Sequence, residues 1–143
     1  MNEFNSHKNY NLISPPPRLL PVLEKLKQAY LLWHNYHGIL TKTHRYSLGR
    51  RIDDLFSQAI EAIAAASFLS KSEKIPCVRL AIRKIDTIKI LLMIVWESKS
   101  LDTTKYATLS SEIDTVGKML GGWNGQLQKQ NSPESANSRT GEK

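Results

Sequence analysis

Apolar side chains recur every three or four residues along most of the chain, which is the spacing of one face of an α-helix. Four such stretches are separated by short polar segments, and no stretch alternates in the manner of a strand. The predicted helices span Arg18 to Leu40, Leu48 to Leu69, Pro76 to Ser98 and Thr104 to Lys129. Four helices with short connections predict an all-α, up-down-up-down four-helix bundle.

The connections carry signals of helix ends. Thr41–Ser47 is a polar connection whose last residue is a possible N-cap, and Ser70–Ile75 is a short polar loop. Pro76 suits the first position of the third helix, and Asp102 or Thr103 is the expected cap of the fourth. The fourth helix also contains glycines, which either permit close approach or mark a frayed end; they are Gly117, Gly121, Gly122 and Gly125.

The composition favours one folded domain between two polar ends. The chain has 143 residues, of which 41% are hydrophobic, enough for a core. Residues 1–17 are polar and end in three prolines, so they are expected to form an extended or disordered arm. Residues 131–143 contain no apolar residue larger than alanine and are expected to form a disordered tail. The bundle is therefore predicted over residues 18–130.

The third predicted helix has more apolar residues than one buried stripe requires. Ile90 and Ile94 lie opposite its main stripe, and Leu31 and Leu32 lie off the main stripe of the first helix. Exposed apolar surface of this kind is typical of an interface. The pattern predicts a homo-oligomer with the third helix in the subunit contact and the first helix as a second candidate. The alternative is a monomer in which the third helix is the most buried one.

Positive charge is concentrated in the folded region. The chain carries 20 Lys+Arg against 13 Asp+Glu, a formal net charge of +7. Residues 18–100 hold 14 of the basic and 7 of the acidic residues, so the rest of the chain is neutral. A basic folded surface attracts nucleic acid or an acidic protein face. The alternative is a protein of high pI without such a ligand.

Several of these basic residues stand where local structure does not favour them. Arg50, Arg51 and Arg79 are predicted at helix N-termini, where basic residues oppose the helix dipole, and this indicates a partner that supplies the counter-charge. The candidates lie at the first junction and on the third helix, and they are Lys42, Arg45, Arg50, Arg51, Arg79, Arg83 and Lys84.

Local pairing is the alternative explanation for these cations. Arg50 stands three and four residues before Asp53 and Asp54, and Arg83 stands three and four residues before Asp86 and Thr87, all at helical spacing. Tyr46 beside Arg45 could either stack on a base or pack internally.

The sequence shows no catalytic constellation, metal site or cofactor motif. No Glu stands three residues before a histidine, as di-iron bundles require, and the single Cys77 excludes an internal disulfide. His37 fits a hydrogen-bonded core histidine better than a metal ligand. His44 lies in a connection, which disfavours a phosphotransfer role. Without a catalytic constellation, a protein that is not an enzyme is expected. Without a signal peptide or a membrane-spanning stretch, a soluble, cytoplasmic protein is expected.

The first junction resembles a known family. The segment from Leu40 to Ile52 is similar to the junction of helices one and two in the accessory variability determinant (Avd) proteins of diversity-generating retroelements. The resemblance covers about residues 18–128, including Tyr30–Trp33 and Leu120–Trp123. Thr41 stands where the family usually has proline. The related proteins encoded in rRNA intervening sequences carry Ile-Ala-Glu-Gly where this chain has Ala62–Ala66, which favours the retroelement branch.

The resemblance implies a specific role. Avd proteins are non-catalytic four-helix bundles that assemble as barrel-like homopentamers with a basic surface. They bind the reverse transcriptase of a bacterial or phage retroelement and its template RNA or cDNA, and support mutagenic cDNA synthesis. By position, the seven basic residues named above would contact nucleic acid or the polymerase. The competing interpretation is a structural bundle of the rRNA-intervening-sequence type, with an unassigned nucleic-acid-binding or protein-binding role.

Overall fold

The computed structural model describes residues 19–131, and the regular structure within that range is entirely helical. The helices are α1 (Pro21–His37), α2 (Lys42–Arg45), α3 (Leu48–Ala66), α4 (Lys71–Glu97) and α5 (Thr103–Gln130). The predicted arm at residues 1–17 lies outside the described residues, and so does the predicted tail apart from Asn131.

The four long helices pack in a closed ring in which α3 contacts α4, α4 contacts α5, α5 contacts α1, and α1 contacts α3. Contacts join the end of one helix to the start of the next, such as the Trp96–Tyr106 ring stack between α4 and α5. Neighbouring helices therefore run antiparallel, and the predicted four-helix bundle is confirmed. Because α1 and α4 are both antiparallel to α3, they run in the same direction on opposite corners of the ring.

The core is built from the predicted apolar stripes. The α4 stripe is fully confirmed, since each of its members is at most 1% exposed: Ala81, Ile85, Ile88, Leu92 and Val95. In α1 the buried face is centred on Leu26, Ala29 and Trp33, and Leu23 and Tyr30 flank it half-buried. Each large apolar side chain that is fully buried contributes about 1.5–3 kcal/mol, so this core dominates the stability of the bundle.

Four helix boundaries differ from the prediction by three or more residues, and two of these are the start of α1 at Pro21 and the end of α3 at Ala66. The first helix ends at His37 rather than Leu40, because the chain turns at Gly38 and returns Leu40 to the core at 1% exposure. The predicted loop at Ser70–Ile75 is helical instead, since α4 starts at Lys71. The Ser70 N–H donates to the Glu73 carboxylate over 3.3 Å, which is half of a capping box.

Pro76 therefore lies inside α4 and not at its first position. A proline here lacks the N–H that would donate to the carbonyl of Ser72 four residues earlier. Ser72 is exposed, so water can satisfy that carbonyl.

The predicted connection Thr41–Ser47 contains the short helix α2. Ser47 precedes α3 as predicted, but its hydroxyl donates to the Thr43 carbonyl over 2.9 Å and does not cap α3. Asp102 is confirmed as the cap of α5, where it accepts from the Lys105 N–H at 2.9 Å and from Lys105 Nζ at 2.7 Å. The hydrogen bonds from Lys105 hold the pKa of Asp102 below its ordinary value.

The α5 glycines do not mark a frayed end, since the helix continues to Gln130. A Cβ added at Gly121, Gly122 or Gly125 would have no neighbouring side chain or other helix within 4 Å. Only Gly117 is close-packed, with Lys89 Nζ 3.0 Å from the position of its Cβ.

The end of α4 is closed by a residue in an unfavourable backbone conformation. Lys99 has φ 64°, and it is the one non-glycine residue with positive φ within residues 19–131. Its N–H donates to the Trp96 carbonyl over 2.9 Å, and the Ser100 N–H donates to the Val95 carbonyl over 3.0 Å. This pair of bonds is the Schellman motif, in which glycine is the usual residue.

Replacing Lys99 with glycine should therefore stabilise the protein. The left-handed conformation costs an L-residue about 1–2 kcal/mol, and part of this gain is offset by the larger unfolded-state entropy of glycine. We expect K99G to raise the free energy of unfolding by about 0.5–1 kcal/mol, measured by urea denaturation. K99A, which keeps the strained φ, is the control, and equal stability of the two variants would contradict the interpretation.

Candidate nucleic-acid interface

The junction between α1 and α3 is organised around His37. The His37 ring stacks on Trp33 with centroids 5.1 Å apart, and His37 Nε2–H donates to the Arg45 carbonyl over 3.0 Å. Gly49 in the first turn of α3 is buried against the same ring. A Cβ at Gly49 would lie 2.8 Å from His37 Nε2 and 3.0 Å from a Leu40 methyl group. The expected hydrogen bond of His37 is confirmed, but the ring is half-buried at the edge of the core, where it fixes α2 against the bundle.

The α4–α5 loop closes onto this junction. The Thr41 N–H donates to Ser100 Oγ over 3.0 Å, and the hydroxyl oxygens of the two residues are 2.9 Å apart. Ser100 is only 7% exposed, so these bonds satisfy a buried polar group. Lys99, which is exposed, is thereby placed beside the junction. Lys99 could not be selected from the sequence, because the residue types Ser-Lys-Ser do not indicate that the middle residue has a positive φ.

The predicted basic residues form two groups. Lys42, Arg45, Arg50 and Arg51 lie at the junction end of the bundle. Arg79, Arg83 and Lys84 lie in the first half of α4. Because α4 starts at Lys71, Arg79 lies beyond its first turn, and the expected position of Arg79 at a helix N-terminus is wrong. Because α3 and α4 are antiparallel, the first half of α4 lies beside the second half of α3, away from the junction. The structure therefore brings together four of the seven residues and separates the other three from them.

The seven residues have no acidic partners within residues 19–131. Four ion pairs are formed there, and they use other lysines: Lys25–Glu112, Lys27–Glu24, Lys89–Asp114 and Lys105–Asp102. Local pairing of Arg50 and Arg83 is therefore wrong. Asp53 lies beside Tyr30 instead, and the pKa of that phenol is raised by burial and then by its hydrogen bond to Asp53 and the charge of that carboxylate.

Arg45 differs from the other six cations. Its Nη2 donates to the Leu40 carbonyl over 3.1 Å, and its side chain is half-buried. Its Nε is buried with no partner among the described residues. Lys84 is also half-buried, whereas the other five are exposed. Arg45 therefore both stabilises the junction through its hydrogen bond and contributes positive charge there.

Tyr46 does not pack internally, since 69% of its surface is exposed. This excludes the packing alternative and leaves its ring face available. His44 is half-buried, with Nδ1 3.3 Å from Thr41 Oγ1. It lies in α2 rather than in a loop.

Large apolar side chains are exposed on two opposite corners of the ring. On α4, Ile90 is 56% and Ile94 39% exposed. On α1, Leu31 is 53% exposed, whereas Leu32 is half-buried and packs against the core. Both sets lie in the second halves of their helices. Because α1 and α4 run in the same direction, both sets lie in the half of the bundle nearer the junction.

No group of three or more His, Cys, Asp and Glu residues within residues 19–131 is placed to hold a metal ion. None of the helices in that range combines the length and apolar character needed to cross a bilayer.

The contact between His37 and Gly49 predicts the effect of a single methyl group. In G49A the Cβ would displace the imidazole and strain its bond to Arg45, a cost of about 1–3 kcal/mol that exceeds the helix-propensity gain of ~1 kcal/mol. We expect G49A to lower the free energy of unfolding, measured by urea denaturation. The matched control G122A adds a methyl group in open space on α5 and should gain about 1 kcal/mol. A G49A protein as stable as G122A would show that the junction is not tightly packed.

Neither models of known protein families, nor curated proteins, nor solved structures give a match to this chain. The similarity of the junction segment to the retroelement family therefore stays a prediction.

Proposed function

We propose that this chain is a non-catalytic accessory subunit that binds nucleic acid through its basic surface. The observation that carries the proposal is the set of seven predicted cations that have no acidic partner within residues 19–131, whereas four other lysines in that range do form ion pairs. An exposed cation without an internal partner can pair with phosphate at no cost in lost salt bridges. Phosphate contacts of this kind also release counterions, which provides most of non-specific affinity for nucleic acid.

The resemblance of residues 40–52 makes the proposal more specific. On that basis the chain serves a diversity-generating retroelement, where it binds the reverse transcriptase and template RNA or cDNA and supports mutagenic cDNA synthesis. A reverse-transcriptase gene and a repeated template region beside the coding sequence would support this role. Their absence would favour the structural bundle of the rRNA-intervening-sequence type.

The exposed apolar residues support self-assembly as part of the same proposal. Ile90 and Ile94 on one side and Leu31 on the other offer two different faces on opposite corners of the bundle. When one face binds the other on the next subunit, the contact is heterologous, and it generates a ring where the rotation between subunits closes. The homopentameric barrel that the resemblance implies is such a ring.

The α4 cations give a direct test of nucleic-acid binding. R79A/R83A should weaken binding to single-stranded RNA and make the log–log salt slope shallower by about 1.4, at roughly 0.7 for each lost phosphate contact. Fluorescence anisotropy across a salt series measures both quantities. The helical circular dichroism signal should not change, because both side chains are exposed.

K25A/K27A is the matched control, because it removes two lysines that pair with Glu112 and Glu24. It removes the same amount of positive charge and should change the slope much less. If the two double variants bind RNA equally, Arg79 and Arg83 are not contacts and only overall charge matters.

The solution mass tests the ring. We expect light scattering after size-exclusion chromatography in high salt to give a mass near five subunits, because high salt removes bound nucleic acid. I90E/I94E places carboxylates on the exposed α4 face and should yield monomers with an unchanged helical signal. A monomeric wild-type protein would refute the assembly and leave the basic bundle.

A further inference from the structure

A cleft at the junction end combines cations with flat rings. It has a volume of about 390 Å³ and is lined by His34, His37, Gly38, Arg45, Tyr46 and Arg50. This volume lies in the range of sites that hold small organic molecules. The lining contains two guanidinium groups and three aromatic or imidazole rings, but no carboxylate.

The charges of the cleft favour an anionic ligand. Arg50 is exposed and forms no ion pair within residues 19–131. Arg45 uses Nη2 on the Leu40 carbonyl, while its Nε is buried and lacks a partner there. A guanidinium group presents several N–H donors in one plane, which suits the oxygens of a phosphate group.

The rings of the cleft favour a ligand that also has a flat face. Tyr46 is 69% exposed, which is unusual for a large aromatic side chain beside a well-packed core. His34 is exposed on the same cleft. Proteins that bind single strands stack unpaired bases on side chains of this type. An acidic peptide would satisfy the arginines but would leave the Tyr46 face in water.

We propose that this cleft binds one unpaired nucleotide of the RNA or cDNA strand, with its phosphate on Arg45 and Arg50 and its base stacked on Tyr46. The inference rests on the proposed function and adds to it a dependence on the base. Phosphate contacts alone are the same with or without bases, whereas the cleft distinguishes an unpaired base from a paired or missing one.

The wall of the cleft is preorganised by the core. His37 is held by its bond to the Arg45 carbonyl and by its stack on Trp33, so its ring forms a fixed surface. Gly49 packs against the Nε2–Cδ2 edge of that ring. A ligand therefore meets a rigid wall, and little ordering entropy is lost at this side on binding. His37 is a positioning residue here, and Arg45, Tyr46 and Arg50 are the proposed contacts.

The test compares a short oligouridylate with a strand of equal length that lacks bases but has the same phosphates. The wild-type protein should bind the oligouridylate about tenfold more tightly, as expected for one stacked base. Y46L should lose this difference, and R50A should weaken binding to both strands. R51A is the matched control, because Arg51 is adjacent and exposed but does not line the cleft. R51A should weaken binding to both strands alike, as the loss of one phosphate contact of the proposed function, and should keep the full base dependence.

A titration with uridine monophosphate, followed by NMR, separates this inference from the proposed function. We expect shifts at His34 and Tyr46 that R50A removes and R51A keeps. If the oligonucleotide binds without base dependence and the nucleotide causes no shifts, the cleft proposal is wrong and the proposed function stands. If only the nucleotide binds, the cleft proposal stands and the proposed function fails. Tighter binding of an oligoglutamate peptide, with the same Arg50 dependence, would overturn the nucleotide proposal in favour of a protein partner.

Discussion

The fixed position of His37 is the constraint on which the junction end of the molecule depends. Its ring is held by Trp33 in the core, by the Arg45 carbonyl and by the bare backbone of Gly49. The bond to Arg45 places α2, and α2 places both Arg45 and Tyr46. A buried tryptophan thus determines where surface cations stand. Because the His37 ring is held in place, a methyl group at Gly49 has no room beside it.

The helices could be predicted from sequence because their apolar period is strong, and the fully buried stripe of α4 shows this best. The boundaries were harder, since they depend on individual hydrogen bonds. The bond between the Ser70 N–H and Glu73 starts α4 one turn before Pro76, and the exposed position of Ser72 makes that proline tolerable. Residue type alone does not show which of two competing start signals the chain uses.

The candidate cations could be selected from sequence, but their grouping could not, because it follows from the antiparallel order of α3 and α4. The sequence also did not show which residue would be the partner of each acidic side chain. Asp53 stands at helical spacing from Arg50, yet it lies beside the half-buried Tyr30 across the α1–α3 contact. Lys99 was missed because its position depends on a backbone angle. The choice between base stacking and internal packing for Tyr46 could not be made from sequence, since the exposure of a side chain depends on how the whole molecule packs.

The bundle has two different ends, and this polarity has a practical consequence. The start of α1 and the later part of α5 line one shared cleft at the end away from the junction, with Leu20 and Val22 facing Met119 and Trp123. α1 has 17 residues, so the two ends are about 25 Å apart along its axis. The start of α1 and the end of α5 both lie at the end away from the junction. Immobilising the protein through either of these two points would therefore orient every molecule with its basic junction toward solution. A surface prepared in this way would present one uniform face to any ligand that flows over it.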